Sequence, residues 1–383
     1  MKRWLALLLC MVMVLNLTAC SSAVPEDATE DEAEDEVIWD WESLPAAEPT
    51  GITLNVYNWG EYIDDEILDV NSAFTHLTGI EVNYKTFDSN ENMYALLSSG
   101  AAEYDVVIPS DYMIGKMIED DMLAPINFEN VPNYTYIDDE FKNLEYDPNN
   151  TYSVPYTWGV VGIFYNTKYV DEADLEQGWG LLWDEKYSGR ILMFNNPRDA
   201  FGVTAKYLSD GDKQISLNTT DETDLWACYE KLKEQKPLVQ AYVMDQIYDR
   251  LINNEAWIAP YYNGDACIIM DEDEGNPDID FFVPHQGTNK FFDAMCILKT
   301  TKHQEAAEAY INFMCIPEVA LANAEYIGYA TPHTAAREML DEEMCNDPVY
   351  YPNEEILARS EVYVTLPEET TRYVSDLWLK LKR

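Results

Sequence analysis

The chain predicts an α/β fold, a parallel sheet covered by helices, on three observations. Apolar strand-like runs alternate with stretches of helical periodicity from residue 54 to 110, and a second such set begins at residue 191. The run 54–57 stops at Asn58-Trp59-Gly60-Glu61-Tyr62 and then feeds an acidic, helix-like segment. Such a junction is where α/β proteins place ligands. With 383 residues, 47% hydrophobic and 13% aromatic, the chain has enough apolar mass for one large core or two medium ones.

The elements follow in order. Residues 64–77 carry Ile67, Leu68, Val70, Phe74 and Leu77 at helical spacing, and Thr78-Gly79 closes the pattern. Residues 80–84 alternate as a strand, 90–99 read as a second helix ended by Gly100, and 104–110 form an apolar strand running into a loop. The stretch 153–165 contains Pro155, Gly159 and Gly162 and reads as a crossover between lobes rather than a central strand. The second set opens with strand 191–194, ends in Asn195-Asn196-Pro197-Arg198-Asp199, and continues into helices at about 199–209 and 221–235. Strand 256–262 stops at Asn263-Gly264-Asp265, and 281–284 and 294–298 read as two further strands. Helices at 303–315, 317–326, 334–341 and 367–382 complete the chain.

The N-terminus reads as a targeting segment. Lys2 and Arg3 precede an apolar run over 4–15 that is short for a membrane span. The run ends in Leu17-Thr18-Ala19-Cys20, which resembles the bacterial lipoprotein cleavage box. That resemblance implies a signal peptide over 1–19 and a lipidated Cys20 that anchors the chain to the outer face of the cell membrane. An ordinary secretory signal is the alternative. Residues 21–50 hold eleven Asp or Glu and no Lys or Arg, so 20–50 is expected to be an extended acidic tether.

Charge and composition narrow the function classes. The chain has 71 acids against 24 Lys plus Arg, a formal charge of −47. Such a surface repels nucleic acid and concentrates small cations. Five cysteines follow Cys20 (Cys228, Cys267, Cys296, Cys315 and Cys345), with no CxxC pattern, and they read as buried free thiols. The four histidines are far apart, so neither a metal site nor a cofactor is expected. There is no nucleophile elbow, Walker loop or dinucleotide fingerprint. A surface-anchored hydrolase with two placed carboxylates is the alternative from the enzyme class.

Several strand ends carry an aromatic, an acid or both: Trp59-Gly60-Glu61-Tyr62, Ser110-Asp111-Tyr112, Asn196 to Asp199, Tyr262-Asn263-Gly264-Asp265 and Phe291-Phe292-Asp293. In an open α/β sheet such ends converge on one crevice. Carboxylates beside aromatic faces suit an organic cation.

Asn-Trp-Gly-Glu-Tyr (58–62), Pro-Ser-Asp-Tyr (109–112), Val-Pro-Tyr-Thr-Trp-Gly (154–159) and Ile-Gly-Tyr-Ala-Thr-Pro (327–332) resemble, in order and spacing, the extracytoplasmic polyamine-binding proteins of spermidine/putrescine ABC transporters. The resemblance runs from about residue 52 to 382. It implies a two-lobed, hinged periplasmic-binding-protein fold of type II, each lobe a mixed sheet flanked by helices, with the ligand cleft between lobes. Lobe 1 would comprise 51–159 and 292–337, and lobe 2 would comprise 160–291 and 338–383. Carried over residue by residue, it places Trp59 and Tyr62 on one wall beside Ser110 and Tyr112. It puts Asp199 and Asp293 opposite ligand amines, and Tyr329 among the lining aromatics. Asn196 stands where spermidine-preferring members have an acid, Gly60 where they have a hydroxyl residue, and Tyr363 where they have an amide. Tyr262 and Phe291 replace tryptophans. Asp265 is an acid that resembles putrescine-preferring members, and Glu61 is a secondary candidate.

The resemblance implies a monomeric, lipid-anchored protein that captures putrescine or spermidine, with putrescine at least as favoured, and delivers it to an ABC transporter permease. Another cationic or zwitterionic solute, such as a betaine or a basic amino acid, is the alternative within binding proteins. Arg198 is the one basic residue near the motifs that could hold an amino-acid carboxylate.

Overall fold

The computed structural model describes residues 39–209, 213–271 and 275–383. The signal segment, Cys20 and the tether as far as residue 38 lie outside them. Strand β1 (Thr53–Trp59) buries Leu54 and Val56 completely and pairs in parallel with β2 (Glu81–Phe87) and β3 (Val106–Val107). Helix α1 (Val70–Thr78) links β1 to β2, and α2 (Asn90–Ser98) links β2 to β3. Their first turns are capped by Asp69 on the Ser72 amide and Ser89 on the Asn92 amide. Gly79 ends α1 at φ +70. The helix predicted over 64–77 starts late because Asp64, 1% exposed, accepts the Glu66, Ile67 and Leu68 amides and ties 64–68 into a loop.

After α3 (Asp111–Glu119) and the short β4 (Leu123–Ala124), the chain enters β5 (Ser153–Asn166), which is buried along all fourteen residues. A second α/β set follows, with β6 (Ile191–Phe194), α4 (Pro197–Tyr207), α5 (Glu222–Gln235), β7 (Val239–Val243), β8 (Ile258–Tyr262) and β9 (Ile279–Phe282). Strand β10 (Thr288–Leu298) then returns antiparallel to β5, and β11 (Ser360–Glu361) pairs with its first residues. The strand order is β2-β1-β3-β10-β5-β8-β6-β7.

Strand β5 corrects one sequence expectation. It is a crossover and also a central strand, lying between β10 and β8. Pro155 is tolerated because the β5–β10 register slips between Asp293 and Ala294, so one residue of β5 goes unmatched there. The strand serves two cores. Val154, Tyr156 and Trp158 belong to a cluster with Leu54, Phe74, Tyr310 and Phe291. Val161, Ile163 and Phe164 belong to another with Trp179, Phe194, Leu232 and Leu377. A third cluster, including Met93, Val107, Ile114 and Cys296, fills the space between β3, β10 and helices α2 and α3. Leu340 and Tyr351 join the first cluster.

The tether expectation also changes over 39–50. Trp39 packs against Phe313 with ring centroids 6.0 Å apart. The Trp41 indole donates to Leu68 O at 2.7 Å and meets His76 edge-on. Backbone bonds Ala47 N–His76 O and Thr50 N–Gly79 O lay the segment along α1, so closely that a Cβ on Gly79 would fall 2.1 Å from Glu48 O. Two tryptophans supply the apolar area that the acidic run before them lacks.

Among the described residues, Cys228, Cys296 and Cys315 are buried free thiols, and Cys267 and Cys345 are half-buried free thiols. No described helix is long and apolar enough to cross a membrane.

Candidate functional site

The C-terminal ends of β1 and β8, the N-terminus of α4 and one face of β10 meet around a narrow cavity. The centre of a water molecule can range over about 80 Å³ within it. All thirteen candidate side chains line it: Trp59, Glu61, Tyr62, Ser110, Tyr112, Asn196, Asp199, Tyr262, Asp265, Phe291, Asp293, Tyr329 and Tyr363. Its described lining contains seven carboxylates and ten aromatic rings, with no Lys, Arg or His. That sign and that aromatic content favour an organic cation over an anion.

The wall is built locally. The Asn58 carboxamide accepts the Trp59 amide at 2.9 Å and donates to Tyr62 O at 3.1 Å, which closes the turn after β1. Glu61 sits in that turn at φ +48, exposed at the mouth, where its carboxylate is 3.3 Å from the Tyr326 hydroxyl. Tyr62 is turned inward. Its ring meets Tyr329 edge-on at 5.4 Å, Tyr329 meets Phe291 at 5.9 Å, and Phe291 meets Tyr262 at 5.3 Å. Four rings thus form one continuous apolar surface. Gly264 allows this, since a Cβ there would lie 2.3 Å from the Tyr329 ring.

Three buried carboxylates are each held by tyrosine. The Tyr62 hydroxyl donates to Asp293 Oδ2 at 2.7 Å and lies 2.7 Å from Thr157 Oγ1. The Tyr262 hydroxyl and the Asn196 amide donate to Asp199 Oδ2 at 2.7 and 2.8 Å. The Tyr248 and Tyr329 hydroxyls donate to the two oxygens of Asp265, each at 2.5 Å. Burial pushes Asp199, Asp265 and Asp293 up to about 6, although the tyrosine hydroxyls pull each of them back down. Their charges are therefore poorly solvated, and only Asp199 feels a nearby cation, the Arg198 guanidinium. No described side chain donates to Asp293 Oδ1 with good geometry, although the Ser110 side chain beside it also pulls its pKa down.

Ser110 pairs with Asp293 across an isolated antiparallel bridge, and its amide and hydroxyl are held by Asn90. Tyr112 accepts from Asn90 at 3.2 Å, donates to Glu91 at 2.9 Å, and meets Tyr363 edge-on. Arg198 lies behind this layer. Its guanidinium stacks 4.3 Å over the Tyr363 ring and donates to Asn218 Oδ1 and Val364 O, so it does not line the cleft.

Sequence reasoning missed several lining residues. Asp111 is fully buried, with its carboxylate accepting the Tyr112 and Phe292 amides at 2.6 and 3.1 Å, and burial drives it well above the usual carboxylate range. It lies in the strand end Ser110-Asp111-Tyr112, but the sequence did not single it out from its neighbours as a lining acid. Asp245 lies in the turn after β7, a strand that the sequence reading did not find. Tyr248, Tyr261, Asp88 and Phe87 line the cavity with it. Asn289 was findable: it precedes Phe291 and Asp293 at alternate positions of one strand, and alternate residues share a face.

Residues 70–350 match the model of the family described as bacterial extracellular solute-binding protein. The chain is 36% identical over 312 residues to the spermidine/putrescine-binding periplasmic protein of Escherichia coli, covering 81% of this chain and 86% of the relative. It is 29% identical over 344 residues to a putrescine-binding periplasmic protein of Pseudomonas aeruginosa, covering 86% and 91%. A solved spermidine/putrescine ABC transporter substrate-binding protein from Streptococcus pneumoniae superposes with a TM-score of 0.72 at 40% identity, covering 86% of this chain and 98% of that one. These relatives are binding proteins, and their fold is the periplasmic-binding-protein fold. The chain belongs to the bacterial extracellular solute-binding protein family.

Proposed function

We propose that this protein is the extracytoplasmic receptor of an ABC importer for polyamines, taking putrescine, spermidine or both. The observation that carries the reading is the set of three buried carboxylates, Asp199, Asp265 and Asp293, each held by tyrosine hydroxyls inside an aromatic slot without a base. A flexible chain of methylenes ending in ammonium groups complements both parts of that slot. The ammoniums answer the carboxylates, which are desolvated and so interact strongly. The methylenes lie on Phe291, Tyr329, Tyr262 and Trp59, whose faces also attract the cations.

In this reading Asp293 receives one terminal ammonium, while Asp199 and Asp265 supply the negative charge that attracts the rest of the chain. Tyr62, Tyr112 and Tyr363 complete the walls, and Ser110 and Asn196 orient the acids. Glu61 stays at the mouth. The lobes divide at 51–159 with 292–337 and at 160–291 with 338–383, and the cleft closes by bending β5, which the two cores share. Lipidation at Cys20 would hold the receptor beside its permease as a monomer.

The basic amino acid alternative is disfavoured, because Arg198 is stacked and hydrogen-bonded away from the cleft. Calorimetric titration with putrescine and with spermidine tests the proposal, together with mass spectrometry of ligand retained through gentle purification. Heat with either amine supports it. No heat with both, with a carbohydrate or peptide turned over instead, overturns it.

A further inference from the structure

Strand β10 turns Asn289, Phe291 and Asp293 to the cleft and Lys290 and Phe292 to the other side, where the Lys290 ammonium sits 4.8 Å over the Trp158 ring and 4.9 Å over Phe292. Asn289 is 5% exposed, and its amide oxygen is buried without a hydrogen-bond partner. Buried carbonyl oxygens are normally paired, and an orphan is costly. Among the described lining residues, the orphan acceptors are Asn289 Oδ1 and Asp293 Oδ1, one at each end of Phe291. Two unfilled acceptors on one strand face, with an aromatic floor between them, describe a linear ligand carrying N–H donors at both ends.

Spacing says which ligand. Asn289 and Asp293 are four residues apart, about 13–14 Å along an extended strand. At about 1.25 Å advance per bond, a four-carbon diamine spans roughly 6 Å between nitrogens, and a triamine with three- and four-carbon spacers about 11 Å. Adding a hydrogen bond of about 2.8 Å at either end lets the triamine bridge the two positions, whereas the diamine falls short.

We propose that Asn289 is a specificity-determining residue of the cleft, its amide oxygen accepting from the distal amino group of a triamine whose other terminal ammonium is held by Asp293. The proposal rests on the polyamine reading and deepens it.

The test is calorimetric titration of the full chain with putrescine and with spermidine, in wild type, Asn289→Leu and Asn289→Asp, with folding checked by circular dichroism melts. The expected result is at least a tenfold fall in the spermidine-to-putrescine affinity ratio for Asn289→Leu and a rise of similar size for Asn289→Asp. Equal losses with both ligands, or an unchanged ratio, overturn the role of Asn289 and leave the polyamine reading standing. Wild type that binds putrescine and not spermidine overturns it as well. Wild type that binds neither fails the polyamine reading itself. If the leucine variant does not fold, the aspartate variant, which keeps the side-chain volume, decides the matter.

Discussion

The Tyr62 hydroxyl lies 2.7 Å from Asp293 Oδ2, joining two residues 231 positions apart in the chain. That contact holds the carboxylate of β10 against the turn after β1, and it is made by a ring that also forms the apolar wall. Tyr62→Phe keeps the wall and removes the donor. We expect polyamine affinity to fall by about 1–2 kcal/mol. The tyrosine hydroxyl pulls the Asp293 pKa down, so its removal should also shift the acid loss of binding to higher pH. Titration calorimetry at several pH values checks both.

Asp293→Asn removes the charge and keeps the shape. If a ligand ammonium is buried against it, the loss should be about 2–5 kcal/mol. An unaltered dissociation constant would place Asp293 outside the ligand's reach.

The pH dependence has opposite signs for binding and stability. Asp199, Asp265 and Asp293 stand at about 6 in the ligand-free cleft, above their unfolded value of about 3.9. Between those values the folded state binds more protons than the unfolded one, so stability rises as pH falls through that window. The unliganded protein should therefore gain melting temperature from these groups between pH 7 and pH 5. An ammonium needs the ionised carboxylate, so affinity should drop at least tenfold over the same interval, with protons released on binding. Paired melts with and without putrescine measure both trends. Affinity that does not change from pH 7 to pH 5 would remove these carboxylates from the ligand.

Gly264→Ala should push the Tyr329 ring, which is pinned by its bond to Asp265 and by its contacts with Tyr62 and Phe291. A cost of about 1–3 kcal/mol in stability is expected, with weaker binding as Asp265 loses a donor. Thermal melts and titration report the two effects separately.

Cys20→Ser should abolish fatty-acid labelling, since the sulfur and the amino group of that one residue would carry all the acyl chains. Labelling that persists in the variant would exclude Cys20 as the acceptor.

The α/β class was legible because β1 ends in a turn whose residues differ so sharply from the apolar run before them. Most of the thirteen lining residues were legible because strand ends converge and because their aromatic and acidic types are conspicuous there, whereas Tyr329 and Tyr363 came only from the family resemblance. Asp111 was not, since its distinction is burial against the Tyr112 and Phe292 amides, and burial of one acid among many depends on tertiary packing. Asp245 was hidden behind β7, a half-buried strand whose alternation is weak. The central place of β5 was concealed by Pro155, whose cost disappears only once the bulge opposite it is known. The docking of Trp39 and Trp41 was hidden by the acidic composition around them.

The tyrosine clamps have one more consequence, which concerns ions rather than amines. A hard divalent cation needs several oxygens in a rigid shell and gives up its water reluctantly. In this cleft the oxygens of Asp265 and one oxygen each of Asp199 and Asp293 are already engaged by hydroxyls, and the remaining surface is largely aromatic. At these three carboxylates, magnesium or calcium would have to displace hydroxyl donors that are already in place. The same acidic slot that draws cations in would therefore act as a sieve against inorganic competitors.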